Sequence, residues 1–373
     1  MYYDAVFVSE VIAVVVVAIV TIATFAILRR LKGEVPAELL DSKKTVSILI
    51  PARNEEASIG NLLASLEEIV KGAPFEVEVI VANDGSTDGT LRLCEEFDFV
   101  EVFEVSKSFV VGTNGKSNAL AEAVDRSSGD VLVFIDADVV VGRNFINLFG
   151  MLDGEGAPGL ISLQPFHVTR SFGEGLVLSF NIVTLTGAVI SNQLRRTEKI
   201  AFGPLLVTTK DNYLATGGHR SIVSETTDDI ALANSYSAHG FRVITLLDRS
   251  IATFRMYPFG FKQMVEGFSK NVLAGFKSVS LLAVLGTGSY ITAVLSLDIA
   301  VARELFHRQM IVALVVYAVV TFLVACGAKM VGRYGRLNYL LHPISFLVFL
   351  FVFVRSIARS LLSIPNTWKG RPI

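Results

Sequence analysis

Read for hydrophobic and polar positions alone, the chain changes character three times. Residues 11–28 are an unbroken apolar run, closed by Arg29, Arg30 and Lys32. A helix that crosses a bilayer needs about 20 apolar residues, and residues 5–8 extend the run far enough. The basic flank comes after the run instead of preceding it, which fits a retained span better than a signal peptide and puts the next stretch of chain on the cytoplasmic side. Residues 1–32 are therefore read as an N-terminal transmembrane helix with its flank, and residues 33–44 as a polar linker. From 45 to 255 short apolar stretches alternate with helical periodicity. Strands are expected at 46–50, 77–82, 100–105 and 131–135, and helices at 57–70, 91–97 and 116–125. That alternation predicts an α/β domain with a mostly parallel sheet and right-handed crossovers. Further strands fall at 160–166, 205–208 and 242–247. Thr226, Thr227, Asp228 and Asp229 cap a helix at 230–238.

The second half turns apolar again. Residues 174–190 read either as a core helix or as one lying at a membrane surface. Over 256–278, Met264, Val265 and Phe268 sit at helical spacing beside Lys262, Lys270 and Lys277, the pattern of an interfacial amphipathic helix. Three apolar runs come next, at 279–297, 310–326 and 340–354. They make 279–364 a membrane part, with 365–373 as a tail. Arg195, Arg196 and the three lysines could seat the domain on anionic headgroups.

Composition agrees with a membrane protein: 52% of residues are hydrophobic, only 18% are charged, and mean hydropathy is +0.55. A net charge of −2 gives no reason to expect a nucleic-acid partner. Cys94 and Cys326 form neither a metal spacing nor a disulfide framework.

The candidate chemistry lies where strands end. The 131–135 strand stops abruptly at Asp136-Ala137-Asp138. Carboxylates at the carboxyl end of a parallel strand face the crevice where open α/β sheets bind ligands. Two of them suit Mg²⁺ or Mn²⁺ together with substrate phosphates, or they are simply two solvated acids. The 77–82 strand ends in Asn83-Asp84-Gly85-Ser86, either a nucleotide-contacting turn or an ordinary capped one. Gly115-Lys116 opens a helix, placing a mobile cation beside orphan N–H groups; alone, it is as readily a solvated lysine.

Taken together these stretches resemble the family 2 glycosyltransferases with a GT-A catalytic domain. Residues 47–56, Ser-Ile-Leu-Ile-Pro-Ala-Arg-Asn-Glu-Glu, resemble the family's opening motif. Residues 83–90 resemble its uridine-contacting turn, 115–120 its diphosphate segment, Asp136-Ala137-Asp138 its metal-binding DxD, and Thr227-Asp228-Asp229 its Thr-Glu-Asp. In the second half, residues 201–204, 213–219, 255–258, 266–271 and 368–371 resemble the membrane glycosyltransferases acting on 4,4′-diaponeurosporenoate, with ceramide glucosyltransferases more distant. The resemblance implies a Mn²⁺- or Mg²⁺-dependent, inverting hexosyltransferase. It would move sugar from a UDP-sugar to a lipid or other hydrophobic acceptor, as a multi-pass cell-membrane protein with a cytoplasmic catalytic domain. It implies Asp229 as general base, and Asp136 and Asp138 as metal ligands. Nucleotide-sugar contacts would come from Pro51, Ala52, Arg53, Glu55, Asn83, Asp84, Lys116, Asp136, Ala137 and Asp138. Gly217, Gly218, His219, Asp228, Phe268, Lys270 and Trp368 would lie on the acceptor side. Processive polysaccharide synthases carry Gln-x-x-Arg-Trp, whereas residues 266–270 here have neither arginine nor tryptophan, which argues against a polymer-extruding enzyme. The remaining alternative is a catalytically silent membrane protein that binds nucleotide sugars.

Overall fold

A computed structural model describes residues 11–23, 26, 40–106, 114–194, 199–225, 227–307, 309–362, 367–368 and 371–372, with the backbone alone for 270–277 and the last two pairs. The expectations for Arg29, Arg30, Lys32, Arg195, Arg196 and Thr226, and for the side chains of Lys270, Lys277 and Trp368, lie outside the described residues.

The chain begins with an apolar helix, α1 (Val11–Ala23). Alternating elements succeed it: β1 (Thr45–Ala52), α2 (Ile59–Gly72), β2 (Glu76–Asn83), α3 (Thr90–Cys94), β3 (Val100–Glu104), α4 (Gly115–Arg126) and β4 (Val131–Ile135). Shorter pieces come next: β5 (Val139–Val141), α5 (Asn147–Gly150), β6 (Leu160–Leu163) and β7 (Phe166–Val168). The helix α6 (Leu178–Leu194) precedes β8 (Leu205–Thr209), α7 (Lys210–Ala215), α8 (Asp228–Ala238), β9 (Val243–Leu246) and β10 (Ala252–Phe254). The rest is mostly helical: α9 (Phe261–Ser278), α10 (Leu281–Phe306), α11 (Met310–Val331), β11 (Gly332–Arg333), α12 (Arg336–Leu340) and α13 (His342–Leu361). A two-residue hairpin pairs β12 (Thr367–Trp368) with β13 (Arg371–Pro372).

These elements form two compact units. The α/β unit is drawn from Leu31–Phe166, Arg195–Pro258 and Pro365–Ile373. Its seven-stranded sheet runs β3-β2-β1-β4-β8-β6-β9. The sheet is mostly parallel, as the alternation requires; only β8 runs against its neighbours β4 and β6. Side chains alternate between two buried faces. Ile48, Ile50, Val79, Val81, Val131 and Val133 pack on one face with Ile59, Leu62, Leu63 and Leu66 of α2. Leu49, Ile80, Leu132 and Phe134 pack on the other with Ala119, Leu120 and Ala123 of α4 and Leu232 and Tyr236 of α8. A sheet covered on both faces keeps its polar groups for its ends, and that is where the candidate chemistry sits. Glu78 is tied beneath the sheet by Ser47 and by the N–H groups of Ser128 and Gly129, so its carboxyl titrates below its usual range although burial opposes this.

The helical unit gathers Met1–Arg30, His167–Leu194 and Phe259–Ile364. Four of its helical segments are long and apolar enough to cross a membrane: Glu174–Leu194, Leu281–Phe306, Met310–Val331 and His342–Leu361. The first is the stretch that hydropathy left open. It is far more enclosed by its own unit than the other three, whose outer faces expose Leu282, Ile299, Ile311, Leu314 and Phe351. The expected amphipathic helix is α9, with Met264, Val265 and Phe268 buried and Phe261, Lys262 and Glu266 exposed. Small and polar side chains let the helices approach: Ser179 Oγ donates to the Ser345 carbonyl at 2.8 Å, and a Cβ at Gly175 would meet Asn338 at 2.2 Å. An acid and an imidazole, Asp298 and His342, meet inside this unit at 3.2 Å.

Candidate functional site

The parallel run of β2, β1 and β4 delivers three strand ends to one rim of the sheet. Ala52 of β1 pairs with Asn83 of β2, and β4 lies on the other side of β1. The turns after β1 and β2 then clasp each other. Asp84 N–H donates to the Ala52 carbonyl at 2.8 Å, and Arg53 Nη1 donates to the Asp84 carbonyl at 2.6 Å. Asn54 takes a positive φ of 51°, which asparagine tolerates, and its Oδ1 accepts from Thr87 N–H at 2.8 Å. Glu55 N–H donates to Thr90 Oγ1 at 2.7 Å, and Gly89 N–H to Glu56 Oε2 at 3.1 Å. A Cβ at Gly89 would come within 2.7 Å of Glu56 Oε1, so a larger residue there would push the Glu56 side chain aside. Asn83 is buried; its amide donates to Glu104 and its oxygen accepts from Ser86 N–H at 3.2 Å. It shapes the turn, while Asp84 lies partly open with Arg53 Nη1 3.9 Å from its carboxylate.

The second half of the site gathers around one ammonium group. Asn114 caps α4 by accepting from Lys116 N–H at 3.0 Å, which fixes the base of the lysine. Lys116 Nζ reaches Asp136 Oδ1 at 2.5 Å, Asp228 Oδ2 at 4.0 Å and the Gly203 carbonyl at 3.4 Å. Asp136 opens the tight turn between β4 and β5; its N–H donates to the Pro204 carbonyl and its carbonyl accepts from Val139 N–H. Ala137 is buried between the two acids of the turn. Asp229, in the first turn of α8, accepts from Gly203 N–H at 3.1 Å and Ile230 N–H at 2.9 Å. That bond, not a hydroxyl of Thr227, caps α8. The segment carrying Gly203 is held in turn, since Phe202 N–H donates to Ser162 Oγ at 2.7 Å.

Charge is set by this crowding. Burial and the neighbouring Asp228 push the Asp229 carboxyl up to about 6, with Lys116 and two N–H groups pulling the other way. Burial works to neutralise Lys116, but Asp136 and Asp228 outweigh it and hold the ammonium more firmly protonated than usual. Among the described residues no cluster of three or more His, Cys, Asp or Glu could hold a metal ion on its own. Asp136 and Asp138 could supply two hard oxygen ligands from one short turn. That donor set fits a Mg²⁺- or Mn²⁺-type cation completed by phosphate oxygens and water, and not a protein-only cage.

The expected acceptor-side residues divide. Gly217 and Gly218 form a turn with φ of 78° and 51°, and a Cβ at Gly218 would strike the Tyr213 ring at 2.1 Å. This lets His219 fold under the sheet end, edge-on to Phe134 at 4.7 Å. Tyr213 Oη accepts from His219 N–H at 2.9 Å, leaving its own proton for His219 Nδ1 at 3.2 Å. That imidazole is neutral, and burial pushes it down to about 4. Phe268 belongs to the helical unit, where its ring stacks on Phe180 at 4.0 Å.

Two features belong to stretches that resemble the relatives, 201–204 and 255–258, but had no role assigned from the sequence. One is the Gly203-Pro204 backbone, which touches Lys116, Asp136 and Asp229. The other is Tyr257, a buried aromatic at φ 55°, a conformation that costs on the order of 1–3 kcal/mol. The resemblance marked these stretches, but nothing in a glycine-proline pair or a tyrosine before proline says which side chains they meet.

The sequence profile of Glycosyl transferase family 2 matches residues 47–152. The chain is 31% identical over 365 residues to the 4,4'-diaponeurosporenoate glycosyltransferase of Staphylococcus aureus (strain USA300), covering 95% of this chain and 96% of the relative. The protein of the same name from strain N315 is 32% identical over 336 residues, 88% of each chain. Among solved structures, a mannosyltransferase from Pyrobaculum calidifontis in complex with GDP-Man and Mn²⁺ aligns with a TM-score of 0.49 at 18% identity, over 86% of this chain and 98% of that one. Glucosyl-3-phosphoglycerate synthase from Mycobacterium tuberculosis, with Mn²⁺, UDP and phosphoglyceric acid, aligns with a TM-score of 0.42 at 23% identity, over 62% and 77%.

Proposed function

Because the chain belongs to the family 2 glycosyltransferases, we propose that it transfers a hexose from a UDP-sugar, with inversion, to an apolar acceptor at the cytoplasmic face of a membrane. The acceptor's nucleophile is an oxygen, and a carotenoid-type carboxylate is the first candidate, since the S. aureus relative acts on 4,4'-diaponeurosporenoate. The observation that carries the reading is the single ammonium of Lys116, set between Asp136 on one side and Asp228 and Asp229 on the other.

Each side chain then has a task. Asp84 and the clasped turns around Arg53 form the nucleoside end, with Pro51, Ala52, Glu55 and Asn83 shaping them. Asp136 and Asp138 would hold Mn²⁺ or Mg²⁺, which when bound neutralises the leaving diphosphate. Lys116 adds a positive charge beside the same leaving group, where negative charge develops. Asp229 removes the proton of a hydroxyl acceptor, and a group pushed up to about 6 is mostly ionised at pH 7 while remaining a usable base. A carboxylate acceptor arrives without that proton, so for it Asp229 matters less. His219, neutral and buried under β4, keeps the floor of the site uncharged. The apolar helices account for the acceptor: a greasy substrate partitions into the bilayer, and the enzyme stays beside it.

The test is a donor screen. Full-length chain in lipid vesicles is given 4,4'-diaponeurosporenoate and UDP-glucose, UDP-N-acetylglucosamine, UDP-galactose or GDP-mannose, with Mn²⁺ or with chelator. A sugar ester of inverted anomeric configuration from one UDP-sugar, formed only with metal, is expected. Failure of every donor with metal present, on this acceptor and on a long-chain alcohol, would sink the reading.

A further inference from the structure

β6 reads Leu-Ile-Ser-Leu, and its one polar side chain, Ser162, is fully buried. A buried hydroxyl costs stability unless it is hydrogen-bonded, so its partners decide the reason for its place. Ser162 Oγ makes two bonds to a single residue of the loop before β8. Phe202 N–H donates to Oγ at 2.7 Å, and Oγ donates to the Phe202 carbonyl at 3.2 Å. A serine hydroxyl carries one proton and two lone pairs, so both bonds form together. The β6–β8 ladder ends at Leu163–Leu205, so Phe202 lies beyond it and its polar groups need other partners.

These bonds grip two consecutive peptide units. The second runs from the Phe202 carbonyl to the Gly203 N–H and is planar, with its carbonyl and N–H pointing opposite ways. Ser162 holds the carbonyl edge of that plane. Its other edge is the N–H that donates to Asp229 Oδ2 at 3.1 Å. Tilting the plane moves both contacts at once. Asp229 Oδ1 accepts from Ile230 N–H at 2.9 Å, so an N–H meets each carboxylate oxygen. The rest of the loop is stapled to the same neighbours. Lys199 N–H donates to Asn234 Oδ1 of α8 at 2.7 Å. Thr245, which pairs with Ser162 across β6 and β9, donates to the Ile200 carbonyl at 3.4 Å. Lys116 and Asp136 meet the Gly203 and Pro204 carbonyls, which lie beyond the gripped plane.

We propose that Ser162 is a positioning residue for Asp229: its hydroxyl fixes the plane of the 202–203 peptide, and that peptide's N–H fixes the rotation of the carboxylate toward the acceptor hydroxyl. The assignment rests on the reading of Asp229 as the base. It explains why a buried strand spends one of its four positions on a hydroxyl, and why the loop comes so close to α8 that a Cβ at Gly203 would lie 3.2 Å from the Asp229 Cβ.

The test is sugar transfer by the full-length chain in lipid vesicles with Mn²⁺, UDP-glucose, UDP-N-acetylglucosamine and UDP-galactose being supplied in turn. Two acceptors are compared, a long-chain alcohol that needs a base and 4,4'-diaponeurosporenoate, which does not. Ser162→Ala should lower kcat on the alcohol about ten- to hundredfold, the scale of a small misplacement, and on the carboxylate less than about threefold. Ser162→Cys keeps the shape and weakens both bonds, so it should fall between and serves if the alanine variant does not fold. Beside Asp229→Asn, either change should add less than about a twofold further loss on the alcohol. Thr208→Val deletes another fully buried hydroxyl of the same sheet, one bonded to the Gly159 carbonyl. It should lower the thermal midpoint by about 2–8 °C, as Ser162→Ala does, without favouring either acceptor. Equal losses on both acceptors, no loss on the alcohol, or a loss that persists in full beside Asp229→Asn each overturn the assignment alone. A wild-type chain that uses only the carboxylate has no base for Ser162 to position, and also overturns it alone. Asp229→Asn without an alcohol-specific loss overturns the base reading and this assignment with it, and a wild-type chain that uses neither acceptor overturns the site reading itself.

Discussion

Replacing Lys116 by methionine removes the charge at the centre of the site and keeps most of the side chain's length. Nζ lies 2.5 Å from Asp136 and 4.0 Å from Asp228. At about 4 Å and an effective dielectric of about 20, a pair of unit charges interacts by about 4 kcal/mol, and more at the shorter contact. The three side chains are 30%, 29% and 16% exposed, so solvent screening leaves roughly 1–3 kcal/mol for each contact. Two consequences of opposite sign result. Asp136 is released from a competing cation, so free Mn²⁺, measured without nucleotide, should bind about five- to tenfold more tightly. The leaving diphosphate loses a preorganised positive partner, so kcat/KM should fall about 10²–10³-fold, the usual loss for such a donor. Since Lys116 also restrains Asp229, that carboxyl should titrate still higher, moving the acid limb on a hydroxyl acceptor to higher pH. The assay is sugar transfer by the full chain in vesicles between pH 5 and 9, with calorimetric Mn²⁺ titration of the same preparation. A variant that loses rate and Mn²⁺ affinity together would refute the reasoning, because it would make the lysine a support for the metal turn and not its competitor. A loss below about tenfold in kcat/KM would remove Lys116 from the reacting centre.

Three further outcomes are expected. Asp229→Asn should cost about 10²–10⁴ in kcat on a long-chain alcohol and less than about tenfold on a carboxylate acceptor; wild-type activity on the alcohol should fall as pH drops through about 6, where Asp229 takes up its proton. Equal losses on both acceptors would show that Asp229 is not a base. Gly218→Ala should destabilise the α/β unit by about 2–5 kcal/mol, because it combines a left-handed backbone with a clash against Tyr213; Gly154→Ala, at φ 91° in open space, should cost only about 1–2 kcal/mol by thermal melting. Removing divalent cations with chelator should weaken UDP binding at least about tenfold by calorimetry, reversibly on adding Mn²⁺, and metal-independent binding would dismiss Asp136 and Asp138 as ligands.

Much of the α/β unit was legible because its cues are local. An apolar stretch such as residues 131–135 that stops at a charged pair can only be a buried strand reaching a rim, and β4 ends there. The family 2 resemblance placed Asp136, Lys116 and Asp229 in roles that the geometry then gathered around one ammonium. Hidden from the sequence is whatever depends on partners distant in the chain. The direction of β8 has no signature in Leu-Leu-Val-Thr-Thr, since a strand buried on both faces reads alike either way. The 160–166 stretch was read as one strand, but it divides into β6 and β7, and Phe166 marks where the two compact units meet in sequence. β5 and β10 are three residues each, too short for a pattern, yet they pair with each other across more than a hundred residues of chain. In the helical unit the Asp298–His342 contact was invisible within apolar runs, because only the fold shows which two polar residues find each other.

The charge of the site also argues for an order of events. Among the described residues, Asp84, Asp136, Asp138, Asp228 and Asp229 lie at the sheet rim and its adjoining turns, where Arg53 pairs with Asp84 and Lys116 with Asp136 and Asp228. Asp229 relieves part of this by binding a proton more readily than a free carboxyl does. The remainder repels a diphosphate arriving alone and attracts a divalent cation. Lys116 already pairs with Asp136 and would compete with such a cation for it, and its next contact, Asp228, is 4.0 Å away. If Asp136 held such a cation, the ammonium would keep Asp228 as its nearest remaining carboxylate partner. One positive charge would then answer whichever carboxylates the cation leaves uncompensated, which is why removing it should shift Asp229 and the metal turn in opposite senses.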